Sequence, residues 1–195
     1  MEIKLGEKQI DSKLIMDGTV LHVYYDNVEL PNGGKAHREL IRHVGAVCMV
    51  PLTDDGKVIV ERQFRYPVDR VITEIPAGKL DSKEEDPLEA AKRELAEETG
   101  MTADTWIHMG IFYPAPAYSD ETIHMFLAKD LHRGEQHLDA DEFLEVTAVP
   151  IEELVDQILA GEIPDLKTQA AVTRAYLMVQ QRRTAGQPLL LQQLR

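Results

Sequence analysis

The sequence contains only one cysteine among its 195 residues, and this scarcity excludes several kinds of site. A single thiol forms neither a disulfide framework nor a CxxC zinc site. Cys48 lies within the mostly apolar run VGAVCMV, so we expect a buried core residue and not a nucleophile. The absence of a disulfide framework agrees with a reducing cytoplasm, which is the location that we expect.

Positively charged residues are also few. The chain has 21 Lys and Arg against 34 Asp and Glu, a net charge of −13, and it has no run of basic residues. Nucleic acid would meet a repulsive field, so we predict no nucleic-acid partner. A small anionic substrate would have to be attracted locally, by a metal ion and a few arginines.

Long apolar segments are absent as well. No stretch is long and apolar enough to span a membrane, and the starting sequence MEIKLGEKQI lacks the apolar core of a signal peptide. We therefore expect no membrane association. The length and the hydrophobic content of 44% predict one ordinary domain with enough apolar residues for a core, and at most a small appendage.

Turn residues and apolar runs predict the order of the secondary structure. We expect strands on both sides of one central helix, at 13–42, 44–52, 57–64, 71–75, 105–113, 122–128 and 143–149. Two helices follow, one that begins at Pro150 and stops at Gly161 and one from about Asp165 to Arg182. This order predicts a mixed α+β sandwich in which helices flank a sheet.

An acidic segment in the middle of the chain reads GKLDSKEEDPLEAAKRELAEETGM, from Gly78 to Met101. Asp86 is a typical N-cap residue, and Pro87 suits the first helical position because its missing N–H costs nothing there. Gly100 is a typical residue just after a helix. These signals predict a helix that begins at Pro87 and ends before Gly100.

Three glutamates of this helix, Glu94, Glu97 and Glu98, are three and four residues apart and therefore share one face. Carboxylates so close together repel one another and would destabilise the fold. A cation bound among them would offset this repulsion. Hard oxygen donors favour Mg²⁺ or Mn²⁺. Arg93 lies one turn before Glu97 and is placed to orient it. The alternative is a solvated acidic face that carries no chemistry.

The segment resembles the Nudix box, the signature of a superfamily of hydrolases. The box reads Gly, five residues, Glu, seven residues, Arg-Glu, an apolar residue, any residue, Glu-Glu, any residue, Gly and an apolar residue. The segment ends in the same order, as RELAEETGM from Arg93 to Met101. Its one departure is an added residue before the helix.

The added residue leaves two candidates for the first glutamate of the box. Glu84 keeps the five-residue spacing after Gly78, whereas Glu85 keeps the seven-residue spacing before Arg93. A loop absorbs an added residue, but the register of a helix determines which carboxylates converge. We therefore assign Glu85 to this position.

Further features resemble one subfamily, the ADP-ribose pyrophosphatases among the ADP-sugar diphosphatases. They are Pro116, sixteen residues beyond Gly100, and the segments QFR at 63–65, EIPAGKL at 74–80, SDE at 119–121 and DEFLEV at 141–146. Ala117 departs from the pattern, since many relatives have glycine after the proline.

The resemblance implies a fold, a reaction and an assembly. The fold would be α+β, with a Nudix-type mixed-sheet α/β/α sandwich in residues 43–195 and a small antiparallel sheet in residues 1–42. The reaction would be hydrolysis of the diphosphate bridge of ADP-ribose to AMP and ribose 5-phosphate, with Mg²⁺ or alternatively Mn²⁺ as cofactor. The partner would thus be a small nucleoside diphosphate sugar, and residues 1–42 would join two copies into a homodimer.

The resemblance also implies roles for individual residues. The metal ligands would be the carbonyl oxygen of Ala77 and the carboxylates of Glu85, Glu94, Glu97 and Glu98. Arg93 and Glu97 would support catalysis by holding this group together. The substrate contacts would come from Arg65, Glu121, Pro116 and Arg38.

We expect the general base outside the box, because a cation bound to the box glutamates lowers their proton affinity. The polar segment 132–141 reads as a loop able to close over substrate, and Glu142 ends it. Related diphosphatases place a glutamate here, so we predict that Glu142 takes the proton of the attacking water. Asp141 and Glu145 are the alternatives.

Two other functions stay open at this point. The first is a Nudix diphosphatase for another substrate, such as GDP-mannose, NADH or a diadenosine polyphosphate, since the box does not separate these. The second is a non-catalytic ADP-ribose sensor that regulates transcription. Such sensors often lose box carboxylates and add a basic DNA-binding module, whereas the glutamates here are intact and the C-terminal tail is short.

Overall fold

The computed structural model describes residues 5–138, 142–185 and 193–194. The strands in this part of the chain are β1 (Lys8–Asp17), β2 (His22–Glu29), β3 (Lys35–Arg42), β4 (Ala46–Pro51), β5 (Lys57–Arg65), β6 (Arg70–Glu74), β7 (Ala77–Lys79), β8 (Met101–Phe112), β9 (Ile123–Arg133), β10 (Leu144–Pro150) and β11 (Gln193–Leu194). The helices are α1 (Pro87–Thr99), α2 (Ile151–Leu159) and α3 (Leu166–Ala185). The predicted order of strands, one helix, strands and two helices is confirmed. In the described ranges, no helix is both long and apolar enough to cross a membrane.

Several boundaries differ from the sequence-based prediction, among them those of β1, β7 and β9. Strand β1 begins at Lys8, five residues early, and the short strand β7 is not predicted at all. Strand β9 continues to Arg133, so the loop before Glu142 begins at Gly134 and not at residue 132. Each of these stretches is paired with a neighbouring strand, β2, β4 or β8 respectively. Such pairing is not visible in a local pattern of residues.

The chain divides into two compact units. The first comprises the chain up to Gly45 together with Tyr113–Thr122, and the second comprises Ala46–Phe112 and the chain from Ile123 onwards. The segment 113–122 is therefore grouped with the N-terminal sheet, although it lies inside the sequence range expected for the second domain.

The first unit is built on an antiparallel sheet in the order β1-β2-β3, which confirms the predicted N-terminal sheet. The segment 113–122 is bound at the end of β3. The Ile41 N–H donates to the Tyr118 carbonyl at 2.8 Å, and the His43 N–H donates to the Asp120 carboxylate at 2.7 Å.

The second unit contains a mixed sheet in the order β11-β8-β9-β4-β7 and a smaller antiparallel sheet in the order β10-β5-β6. Strand β4 runs parallel to β9 and is buried along its whole length. Alternate residues of a strand point to opposite faces. Cys48 therefore faces the core that α2 and α3 close with Leu154 and Val172, whereas α1 packs on β4, β7 and β8 with buried residues outside that core. These layers confirm the predicted sandwich.

Cys48 is fully buried, as predicted. Burial raises the pKa of its thiol to about 12. A thiol with that pKa supplies little thiolate at neutral pH, and the thiolate is the nucleophilic form. Cys48 is thus a core residue.

Helix α1 begins and ends where the sequence predicts. The Asp86 carboxylate accepts hydrogen bonds from the N–H groups of Leu88 at 2.8 Å and Glu89 at 3.2 Å. Gly100 ends the helix with a φ of 68°, in the left-handed region that glycine adopts without strain. Leu95 is buried, and this contact fixes the rotation of the helix and hence the direction of its glutamates.

Candidate active site

The three glutamates of the box helix differ in their environments. Glu97 is the most exposed, Glu94 is largely covered, and Glu98 is only 7% exposed. The Glu98 carboxylate accepts a hydrogen bond from the Ala77 N–H at 3.0 Å, which links α1 to β7. Ala77, whose carbonyl is a predicted metal ligand, therefore lies beside Glu98.

Arg93 lies among the box carboxylates. Its Nη1 is 2.8 Å from Glu94 Oε1 and 3.3 Å from Glu97 Oε2, and its Nη2 is 3.3 Å from Glu85 Oε1. Desolvation opposes the charged form of Arg93, but the charges of Glu94 and Glu85 outweigh it and raise its pKa. Arg93 is thus placed to hold these carboxylates together, and its part in catalysis stays a prediction.

The carboxylate of Glu85 reaches this group, whereas Glu84 is exposed. Besides its contact with Arg93, Glu85 accepts a hydrogen bond from the Asp81 N–H at 2.5 Å. This geometry supports the alignment of Glu85 with the first glutamate of the box.

The glycine that opens the box packs against the end of the Glu94 side chain. A Cβ atom on Gly78 would overlap the Glu94 carboxylate. Any larger residue would therefore displace the Glu94 carboxylate. The sequence pattern contains this glycine, and the packing against Glu94 gives its physical reason.

Glu61 on β5 is a carboxylate that the sequence-based prediction misses. It is 4% exposed and stands opposite Glu74 in the register of β5 and β6. Burial and the charge of Glu74 raise the pKa of Glu61, and burial and the charge of Glu61 raise the pKa of Glu98. Glu61 therefore shares the electrostatic environment of the box. The sequence signal that could have indicated a buried carboxylate here is a charged residue directly after the apolar run Val58–Val60.

Arg65, a predicted substrate contact, is paired with Glu74. Its Nε is 2.6 Å from Glu74 Oε1 and its Nη2 is 3.0 Å from Glu74 Oε2. Lys167 also bonds the Glu74 carboxylate. Burial acts to raise the pKa of Glu74, but its bonds with Arg65 and Lys167 outweigh burial and lower it. Glu74 is thus a buried anion with two cationic partners.

The loop that leads towards Glu142 is anchored on the end of α1. The Gly134 N–H donates to the Gly100 carbonyl at 2.6 Å, and the His137 N–H donates to the Glu97 carbonyl at 3.0 Å. The side chain of Gln136 donates to the Glu98 carbonyl. These bonds satisfy carbonyl groups at the helix end and hold the start of the loop beside the box.

A cavity of about 470 Å³ adjoins the far end of this loop. Its lining consists of Arg62, Phe64, Val71, Leu138, Glu142, Phe143, Leu144 and Glu145. Burial is the main cause of the raised pKa values of Glu61, Glu94 and Glu98, and the charge of Glu142 adds to all three. Glu142 therefore lies near the box carboxylates and also faces the cavity.

The two alternative candidates for the general base, Glu145 and Asp141, differ in what the structure describes of them. Glu145 pairs with Arg62 at 3.0 Å, and its side chain is 64% exposed. Asp141 lies outside the described residues. The predicted role of Glu142 stays a prediction that this geometry supports.

The other predicted substrate contacts belong to the first unit. Arg38 on β3 forms an ion pair with Glu7. Pro116 lies in the segment 113–122, in the turn where the Ala115 carbonyl accepts from the Ser119 N–H at 2.9 Å. The Glu121 N–H donates to the Ser119 hydroxyl at 3.1 Å. The roles of Arg38, Pro116 and Glu121 stay predictions.

The donors around the box fit a hard divalent cation. Glu94 and Glu98 offer carboxylate oxygens, and Oε1 of Glu61 is buried without a hydrogen-bond partner in the described part of the chain. The raised pKa values of these carboxyl groups reflect buried negative charge that a cation would compensate. Among residues 5–138 and 142–185, no three His, Cys, Asp or Glu side chains already enclose a metal position, and Arg93 binds Glu94 and Glu97 instead.

Comparison with known proteins identifies the family. Residues 42–171 match the NUDIX domain. The ADP-ribose pyrophosphatase of Bacillus subtilis (strain 168) is 45% identical over 170 residues, which are 86% of this chain and 91% of that protein. The methanol dehydrogenase activator of Bacillus methanolicus is 40% identical over 177 residues, 90% of this chain and 94% of that protein.

The fold is also found in a solved structure. A crystal structure of an ADP compounds hydrolase superposes with a TM-score of 0.81 at 21% identity, over 95% of this chain and 98% of that one. The predicted fold class is thereby confirmed. Together with the NUDIX match, the similarity over most of the chain shows that this protein belongs to the Nudix family of hydrolases.

Proposed function

We propose that this Nudix hydrolase cleaves the diphosphate bridge of ADP-ribose to AMP and ribose 5-phosphate, with Mg²⁺ as its cofactor. The main support is an intact box, in which Arg93 binds Glu94 and Glu98 binds the Ala77 N–H. The box occurs in a chain that is 45% identical to an ADP-ribose pyrophosphatase. Complete box carboxylates favour an enzyme over a non-catalytic sensor.

The box residues would hold the cofactor. Glu94, Glu98 and the carbonyl of Ala77 are the proposed ligands, and Glu97 and Glu85 assist at the edge. A bound divalent cation neutralises phosphate charge and lowers the pKa of the attacking water. Arg93 fixes the orientation of the carboxylates, as groups around a metal site commonly do.

Arg65 would bind a substrate phosphate, because a guanidinium group matches phosphate oxygens in a bidentate manner. Its present partner, Glu74, is also bonded by Lys167. When Arg65 turns to a phosphate, Lys167 keeps the buried carboxylate paired and so avoids the penalty of an isolated buried charge.

Glu142 would accept the proton of the attacking water on a carboxylate oxygen. It faces the 470 Å³ cavity and stands at the end of a loop whose start is anchored on α1.

We expect ADP-ribose to give the highest kcat/KM in a panel that also contains GDP-mannose, NADH and a diadenosine polyphosphate. The assay measures phosphomonoester release with Mg²⁺, and reactions with EDTA serve as the control, since metal removal should abolish turnover. A higher kcat/KM for GDP-mannose would overturn the substrate assignment and leave the family assignment intact.

We also propose that residues 1–42 form a homodimer interface, and that Arg38, Pro116 and Glu121 contact the substrate. Strand β1 is at the edge of its sheet, and the apolar side chains of Ile10 and Ile15 on it are exposed. Exposed apolar surface and an unpaired strand edge are typical of an association site.

Light scattering tests this assembly directly. We expect a mass of about twice the 22.0 kDa chain at concentrations where the enzyme is active. A monomer with full activity would contradict the proposed dimer.

A further inference from the structure

Glu61 is a buried carboxylate to which neither the box pattern nor the proposed mechanism gives a role. It follows Val60, which is fully buried, and is itself 4% exposed. An ionised carboxylate in such a place is costly unless it is paired or coordinates a cation. Its Oε1 has no hydrogen-bond partner in the described ranges of the chain.

The cations on the strand face of Glu61 already bind another carboxylate. Side chains alternate along β5, so Glu61 and Arg65 lie on the same face of the strand. Arg65 binds Glu74, which is opposite Glu61 in the register, and Lys167 binds Glu74 as well. Glu74 is thus neutralised, whereas Oε1 of Glu61 is left without a bonded cation.

The other neighbours of Glu61 are carboxylates of the candidate active site. The pKa of Glu98 is raised by burial and then by the charge of Glu61, and the charge of Glu142 also acts on Glu61. Glu98 in turn is fixed by the Ala77 N–H, next to the predicted carbonyl ligand. The register gives the same placement, because Glu61 is opposite Glu74, and Ala77, which binds Glu98, follows Glu74 by three residues.

We propose that Glu61 is a further carboxylate of the cation site and that its Oε1 helps Glu98 to hold a divalent cation. The inference rests on the proposed metal-dependent function. An additional carboxylate increases the negative charge that the site offers to a hard cation and so increases its affinity. Glu61 comes from β5, outside the box segment, so the box pattern does not include it.

The test measures Mn²⁺ binding by electron paramagnetic resonance, on the full chain without substrate, for wild type, Glu61→Gln and a control variant. Glutamine keeps the size of the side chain but removes its charge. We expect Glu61→Gln to bind Mn²⁺ about 10- to 100-fold more weakly, the usual loss when a residue that supports a metal site is changed. The control is Glu89→Gln, which removes one charge from the exposed start of α1, where Glu89 pairs with Lys92. It should bind Mn²⁺ within about twofold of wild type because exposed charges are screened.

The outcomes separate the two proposals. If Glu61→Gln binds Mn²⁺ as tightly as Glu89→Gln, the role of Glu61 is overturned and the proposed function stands. If wild type itself binds no Mn²⁺, the metal-dependent function fails. Thermal unfolding without metal checks folding, and Glu61→Gln should be at least as stable as wild type because it removes carboxylate repulsion.

A second variant covers the case in which Glu61→Gln does not fold. Glu61→Asp keeps the charge but withdraws the oxygen atoms by one methylene. It should also bind Mn²⁺ more weakly than wild type, and unchanged affinity would overturn the proposal.

Discussion

Replacement of Glu98 by glutamine is expected to lower kcat by about 10³-fold or more while the protein stays folded, because a lost metal ligand removes several kcal/mol of charge stabilisation. The amide oxygen of glutamine still accepts the hydrogen bond that the Ala77 N–H donates to Glu98. The packing of α1 on β7 is therefore retained. The measurement is the steady-state kcat with ADP-ribose and Mg²⁺, beside the thermal unfolding of the metal-free protein.

Glu89→Gln is the matched control, since it makes the same change on the exposed side of the same helix. Its kcat should equal that of wild type. Its unfolding temperature shows how much the loss of one exposed charge alone changes stability, and the unfolding temperature of Glu98→Gln is compared with it. Retention by Glu98→Gln of more than about a tenth of the wild-type kcat, a change of only ~1.4 kcal/mol, would remove Glu98 from the ligand set.

Replacement of Glu142 by glutamine is expected to lower kcat by about 10²- to 10⁴-fold, the usual cost of losing a general base. KM and the affinity for Mn²⁺ should change little, because Glu142 is not among the proposed ligands.

Two further variants decide whether the base is assigned correctly. Glu145 pairs with Arg62 and is largely exposed, and Asp141 is the remaining candidate from the sequence. If Glu142→Gln keeps its activity and Asp141→Asn or Glu145→Gln loses it, the base is one of those residues. If all three keep their activity, the proton goes to a group elsewhere.

Local signals were sufficient to predict the box helix. Asp86 caps it, Gly100 ends it, and the spacing of Glu94, Glu97 and Glu98 places them on one face. Each of these features involves residues at most four positions apart. The periodicity of the helix and the unpaired backbone groups at its ends are therefore enough to predict them. The family, and with it the fold class, followed from the same segment.

Contacts between distant parts of the chain could not be predicted in this way. Arg65, Glu74 and Lys167 form one group although more than a hundred residues separate its first and last members. Glu61 stands opposite Glu74 only because of the register of β5 and β6, and a shift of one residue would turn Glu61 to the other face.

The sequence by itself thus determined the family, the box helix and the burial of Cys48, because capping, helical spacing and apolar runs act over short distances. The tertiary structure alone decided that Glu61 lies opposite Glu74, that Arg65 is bound to Glu74, and that Gly134 is anchored at Gly100. These arrangements depend on strand register and on loop closure, which arise only when the whole chain packs.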